Sequence, residues 1–244
     1  MNKCHFEIKG SIQKPAENGD VFFADTGTNK DVTSLAMVVD STKARVWADL
    51  LKQEVAEAAL NPQKELPEAV LEATRKTAKK MGNAPMPSVS FLVSRISNGI
   101  FETFAYGDCS MVVHYQDGIV ESYTGNKLSE TSDIKSSRVA RISRDRRRNL
   151  STYTDNSMWS LAARTEAVQS IALLSCGVTP ALMNDEITKK VISNPNKKEA
   201  AKILGALSVV GSFLKEKEEG KVRKVSSANR SALLLDFVDE RLYD

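Results

Sequence analysis

Apolar and polar residues alternate from the beginning of the chain in "CHFEIKGSIQ"; in "NGDVFFAD" (18–25) a turn signal stands directly before a second strand-like stretch, and "SLAMVVDST" (34–42) follows as a short apolar run. Successive side chains of a strand point to opposite faces, so these stretches predict strands, with Asn18-Gly19 supplying a turn between the first two. From Thr42 the period lengthens. Val46, Trp47, Leu50, Leu51, Val55, Ala58 and Leu60 recur at helical spacing until Pro62 ends the run. Val70, Leu71, Ala73 and Ala78 mark a second helix over about 66–81, whose basic end "RKTAKKMG" suits the negative end of a helix dipole.

Three alternating segments follow, "PSVSFLVSRISNG" (87–99), "IFETFAYGD" (100–108) and "CSMVVHYQDG" (109–118), with turn signals at Asn98-Gly99, Gly107-Asp108 and Asp117-Gly118. They predict a meander. Residues 121–159 are polar and poor in aliphatics, which predicts a long surface excursion. "SIALLSCG" (170–177) resumes the core, "TPALMNDEITKKVISN" and "KKEAAKILGALSVVGSFLKEKEEG" read as two helices, and "SALLLDFV" (231–238) closes as a strand. Strands, two helices, strands, two helices and a strand predict an α+β fold with helices on the outer faces of antiparallel sheets, not a βαβ alternation.

Composition adds little to this picture. The chain has 244 residues, enough for a sizeable core; 41% are hydrophobic and 27% charged, ordinary values for a globular protein. A net charge of +3 is too small to imply nucleic acid or an acidic membrane as the main partner. The three cysteines, Cys4, Cys109 and Cys176, are odd in number and lack C-x-x-C spacing, so they predict neither a disulfide framework nor a zinc ribbon. "MNKCHFEIKG" lacks the apolar segment of a signal peptide, and no run reaches the length of a membrane span; a cytoplasmic location is expected.

Asp20, Asp40 and Asp108 fall at strand ends or turns. Carboxylates placed where strands stop can converge on a hard divalent cation, although aspartate is also a common turn former. Taken together, several stretches resemble one family. "AMVVDSTKARVWADLL" looks like the "DG" motif of the PPM-type (type 2C) metal-dependent protein serine/threonine phosphatases, and "FETFAYGDCSMVV" is similar to their "GDS" strand-turn-strand. "ALLSCGVTPALMNDEI" resembles their "SDG" strand and the helix after it, "SSANRSALLLDFV" their closing "DDAT" strand, and "ENGDVFF" sits where they have "NED". The order matches over nearly the whole chain. The resemblance implies one domain over residues 1–244, a four-layer α-β-β-α sandwich of two mainly antiparallel sheets flanked by helix pairs, with a magnesium or manganese centre at one end of the sheets.

By the same resemblance Asp20, Asp40 and Asp108 keep acidic groups of the metal site, and Ser41 stands for the glycine whose backbone carbonyl is a ligand. Other positions depart from it. Gly19 replaces a glutamate, Cys176 the central aspartate, Pro180 an accessory-metal aspartate, and Ala228 and Asn229 the terminal acidic pair. Two hard divalent ions side by side need several carboxylates, and Asp40 is the only one left at the centre, so the site reads as degenerate. Nor does Cys176 read as a nucleophile, because "CGVTPALMN" has no arginine to cradle phosphate; Cys109 also lacks one, and His114 is an odd number of residues away from it.

Between 138 and 148 lie Arg138, Arg141, Arg144, Arg146, Arg147 and Arg148. Arginine clusters bind phosphate, which fits a phosphoprotein partner, but no aromatic residue is interleaved to stack on bases, so a solvated face is favoured and nucleic acid is not the expected partner. The expected function is recognition of a protein partner, phosphorylated or not, by a pseudophosphatase. The rival is an active magnesium- or manganese-dependent phosphatase that recruits other carboxylates such as Glu17, Asp25 or Asp185.

Overall fold

Which layer of the molecule a side chain enters is decided by its parity along its strand. The computed structural model describes residues 4–14, 21–26, 32–41, 45–82, 89–124, 149–155, 158–183, 185–218 and 230–239. Its strands are β1 (Cys4–Lys14), β2 (Val21–Thr26), β3 (Val32–Ser41), β4 (Val89–Ser97), β5 (Ile100–Tyr106), β6 (Ser110–Tyr115), β7 (Val120–Thr124), β8 (Asn149–Asp155), β9 (Met158–Arg164), β10 (Val168–Leu174) and β11 (Arg230–Asp239). Its helices are α1 (Arg45–Ala59), α2 (Leu66–Met81), α3 (Asp185–Ile192) and α4 (Lys197–Glu218). The strands form a five-stranded sheet, β1-β11-β10-β6-β7, and a six-stranded sheet, β2-β3-β4-β5-β9-β8. Every pairing is antiparallel.

In β3, Ala36 and Val38 pack between the sheets while Leu35, Met37 and Val39 pack against α1 and α2. In β10 and β11, Ile171, Leu173, Leu233 and Leu235 line the same seam, and Ala172, Leu174, Ala232 and Leu234 face the layer holding Leu182, Val191, Ile192, Ala200 and Leu204. Two sheets face to face with a helix pair outside each make the α-β-β-α sandwich that the resemblance implied, with the helices on the outer faces as the order of elements predicted. Each large apolar side chain so buried contributes about 1.5–3 kcal/mol relative to exposure. In β1 the register against β11 shifts between Ile8 and Gly10, so Phe6 enters the seam and Ile12 the outer layer although both numbers are even.

Two expectations need correction. Residues 121–159 are not one loose excursion: most of β7 and all of β8 lie within them, β9 begins there, and Tyr123 and Trp159 are buried in the seam with stacked rings, 5.8 Å between centroids. Their alternation is with Ser, Thr and Glu rather than with long polar runs, so the apolar signal is thin. What remains of the excursion, 125–148, lies outside the described residues, as do all six arginines of the basic run. The stretch read as a helix from Thr179 begins instead as a 3-10 turn, Thr179–Met183, and only Asp185–Ile192 is α-helical.

Buried charge pins the first helix pair to its sheet. Arg95 of β4, only 3% exposed, donates to the carbonyls of Ala59, Asn61 and Lys64 between α1 and α2 at 3.1, 3.2 and 3.1 Å. Its guanidinium also holds Glu102 of β5 through bonds of 3.0 and 2.7 Å. Replacing Arg95→Met leaves a carboxylate and three carbonyls without their donor, so the urea unfolding midpoint is expected to fall by the equivalent of about 3–5 kcal/mol. A loss below about 1 kcal/mol, the size of an exposed pair, would show that this clamp does not hold the hairpin.

Candidate functional site

β3 stops at Asp40 and Ser41, and parity puts Asp40 in the seam beyond Val38, where it is 7% exposed. Ser41 is buried and opposite Val89. On the facing sheet β10 ends at Leu174, and Ser175 extends the pairing: its N–H donates to the Ser231 carbonyl at 2.8 Å and its hydroxyl oxygen accepts the Ser231 N–H at 2.9 Å. The chain then turns, with the Val178 N–H donating to the Ser175 carbonyl at 2.9 Å. This turn delivers the Cys176 N–H to Asp40 Oδ2 at 3.0 Å, a bond between residues 136 apart that joins the two sheets.

Asp108 reaches the same end by another route. Ser90 is the register partner of Asp40 on β4, and its hydroxyl donates to Asp108 Oδ1 while its oxygen accepts the Asp108 N–H at 3.3 Å. Gly107 makes this approach feasible: its φ is +82°, and a Cβ there would come within 2.8 Å of the Ser90 Cβ. The turn after Cys176 is tied in as well, since the Thr179 and Ser110 hydroxyls lie 2.9 Å apart. Asp40, Ser90, Asp108 and the Cys176 turn therefore share one end of the sandwich.

The sequence singled out Asp40, Ser41, Asp108 and Cys176 but not Ser90, Ser110, Ser175 or Thr179, which hold them in place. The available signal for Ser90 was a small polar residue just before the apolar run "FLV" of β4. Pro180 lies in the 3-10 turn after Cys176. Asp25 pairs with Leu35, four residues along β2 from Val21, which pairs with Val39 beside Asp40; about 13 Å of strand separates Asp25 from the site end. Asp185 opens α3. Glu17, Gly19, Asp20, Ala228 and Asn229 lie outside the described residues.

The donor set can be tested against a magnesium or manganese pair. Its described members are one seam carboxylate already accepting a backbone N–H, a second carboxylate accepting a serine hydroxyl, and a thiol. Hard ions in pairs require more anionic oxygens than this, and a thiol suits softer metals. Among the described residues no group of three or more His, Cys, Asp or Glu side chains could hold a metal ion. The described residues do not fit a two-ion centre. Cys4 and Cys109 are buried in the seam, and none of the three cysteines is in a disulfide.

No protein-family model matches the chain, and no curated protein matches it in sequence. Solved structures do match in fold. The catalytic domain of the serine/threonine protein phosphatase PstP, in complex with 2 manganese ions, superposes with a TM-score of 0.62 at 14% identity, covering 97% of this chain and 99% of that one. The serine/threonine phosphatase PstP/Ppp of Mycobacterium tuberculosis gives 0.56 at 15%, with 97% and 99% covered. Phosphatase Stp1 of Staphylococcus aureus gives 0.58 at 11%, with 97% and 95% covered. The chain thus has the PPM-type phosphatase fold over nearly its full length, as the motif order implied.

Ser90→Ala removes the hydroxyl that joins Asp108 to β4. The expected cost is about 1–3 kcal/mol of stability, the range for a bond to a charged group or an orphaned polar partner. Thermal unfolding of the purified variant checks it, and an unchanged midpoint would mean that Asp108 is held by other contacts.

Proposed function

We propose that this chain uses a phosphatase fold for recognition and not for hydrolysis: a pseudophosphatase that binds a protein partner, with phosphorylated segments as the favoured class. One observation carries the reading. The seam carboxylate of Asp40 is met by the backbone N–H of residue 176, and residue 176 is a cysteine where the resemblance implies a metal-binding aspartate. A catalytic metal pair acts by activating water and offsetting charge on the phosphoryl oxygens, and it needs carboxylates to hold it. The described donors supply too few, so no hydrolytic step is derived through such a pair.

The fold itself supports the recognition half of the proposal. Its structural neighbours are named as serine and serine/threonine phosphatases, and a scaffold shaped around phosphorylated side chains can retain that shape after losing its metals. The run Arg138–Arg148 adds six guanidinium groups able to make bidentate contacts with phosphate.

Isothermal titration of the whole chain with manganese, beside a phosphate-release assay on a phosphoserine peptide, tests this. Weak or absent binding and no turnover are expected, with Cys176→Asp improving manganese affinity by about tenfold or more, because ligand charge count tunes such affinities over decades. Tight binding of two ions with turnover abolished by Asp40→Asn would overturn the proposal and establish the rival reading of a divergent active phosphatase.

A further inference from the structure

The outer face of the five-stranded sheet carries a polar row beneath its helices. Register aligns Glu7 of β1, Asp236 of β11, Ser170 of β10 and His114 of β6 on four adjacent strands. Lys197, the first residue of α4, lies over this row: its ammonium donates to the carbonyl of Ile192, the last residue of α3, and sits 3.5 Å from Ser170 Oγ and 4.0 Å from Asp236 Oδ1. The sheet is in close contact with the helix start, because a Cβ on Gly10 would come within 2.8 Å of the Lys197 carbonyl carbon. Asn196 caps α4, its side-chain oxygen accepting the Glu199 N–H at 3.2 Å.

Lys197 is thus a cation in the first turn of a helix, at the positive end of the dipole, turned toward the carbonyl end of the preceding helix. It is 8% exposed, and Asp236, whose side chain is 31% exposed, is its nearest carboxylate. His114 is 7% exposed, and its Nδ1 is buried with no hydrogen-bond partner among the described residues. The charges it faces are Lys197 of α4, Lys189 of α3, Asp236 of β11 and Asp117 of the β6–β7 turn; Asp236 in turn faces Lys9 and Glu7 of β1. Among the described residues an imidazolium here would find no acceptor for its Nδ1 proton, and the Asp236 carboxylate, across Ser170 on the second strand over, already faces Lys197.

We propose that His114, Lys197 and Asp236 form an acid-sensitive latch under the α3–α4 junction, which stays seated while His114 is neutral and loosens when His114 takes up a proton.

Burial first, then Lys197 and Lys189, hold the imidazole below its ordinary value of 6.5. The stability this contributes is present above that value and is lost as pH falls through the lowered folded value. Burial raises Asp236 from 3.8, so its contribution has the opposite sense: present below 3.8 and lost as pH rises through the raised value. Lys197, lowered from 10.5 chiefly by burial, favours the fold more as pH rises, so across the acid range it is the fixed cation that a protonated His114 must face.

Hydrogen exchange of the whole chain, compared between about pH 7.5 and about pH 5.5 after correction for intrinsic rates, tests the latch. Amides of α3 and the first half of α4 are expected to lose about tenfold more protection than those of α1 and α2, because the lower pH lies about one unit below the ordinary imidazole value of 6.5 and each unit is a factor of ten. His114→Gln should abolish that difference, and Lys197→Met, which keeps the stem without the charge, should reduce it. Equal losses in all four helices, or an undiminished difference in His114→Gln, would overturn the proposal. Should the variants fail to fold, proton NMR of the natural chain decides. With only two histidines, and His5→Gln assigning them, a His114 midpoint below that of a free histidine peptide supports the latch and one at or above it refutes it.

Discussion

The bond from the Cys176 N–H to the Asp40 carboxylate is the constraint on which the candidate site depends. Between the sheets the seam is mainly apolar, its few hydroxyls pairing with one another as in Ser94–Thr103 and Tyr115–Tyr123, but where β3 and β10 run out, buried polar groups must be satisfied or the end of the sandwich opens to water. A carboxylate at that position has two physical solutions, cations or hydrogen-bond donors. Here the donor is a backbone amide, presented by a turn that Ser175 anchors to β11. An aspartate at 176 would set a second negative charge beside the first and call for a cation to offset it; a cysteine removes the repulsion and the call together.

Each helix pair is tied down by one buried cation that satisfies carbonyls near a helix C-terminus, groups that no intrahelical donor can reach. Arg95 does this for α1, taking the Ala59 carbonyl, and Lys197 does it for α3, taking the Ile192 carbonyl. They are not equivalent. Arg95 brings a planar fork and a carboxylate at 2.7 Å, whereas Lys197 brings a point charge whose carboxylate is at 4.0 Å and partly turned to solvent. One side of the sandwich is therefore fastened permanently, and the other by a cluster whose charge balance can change.

Periodicity in the chain was enough to read α1, α2, α4 and the strands on either side of Asn98-Gly99, because these elements carry long, regular apolar patterns. The strands β7 to β9 were not read: in "MWSLAAR" the face opposite Trp159 and Leu161 holds Ser160 and Ala162, too small to sharpen the alternation. At the site, the motif order brought out Asp40, Asp108 and Cys176, since each interrupts an apolar run. Ser90 and the His114–Ser170–Asp236 row were not read, because their meaning lies in register, Ser90 opposite Asp40 and the other three aligned across β6, β10 and β11. Local pattern carries no information on register across strands.

The register shift in β1 has its own consequence. Because the strand changes phase between Ile8 and Gly10, the residues before it and those after it obey opposite rules about which parity is buried. In coding terms the shift is a frameshift in burial, compensated once and at one place. A residue gained or lost elsewhere in β1 would send Phe6 or Ile12 to the wrong face, whereas the bulge itself could move by a residue with one local exchange. Length variation among descendants of this chain should therefore be sparse along β1 and, where it occurs, concentrated at Lys9.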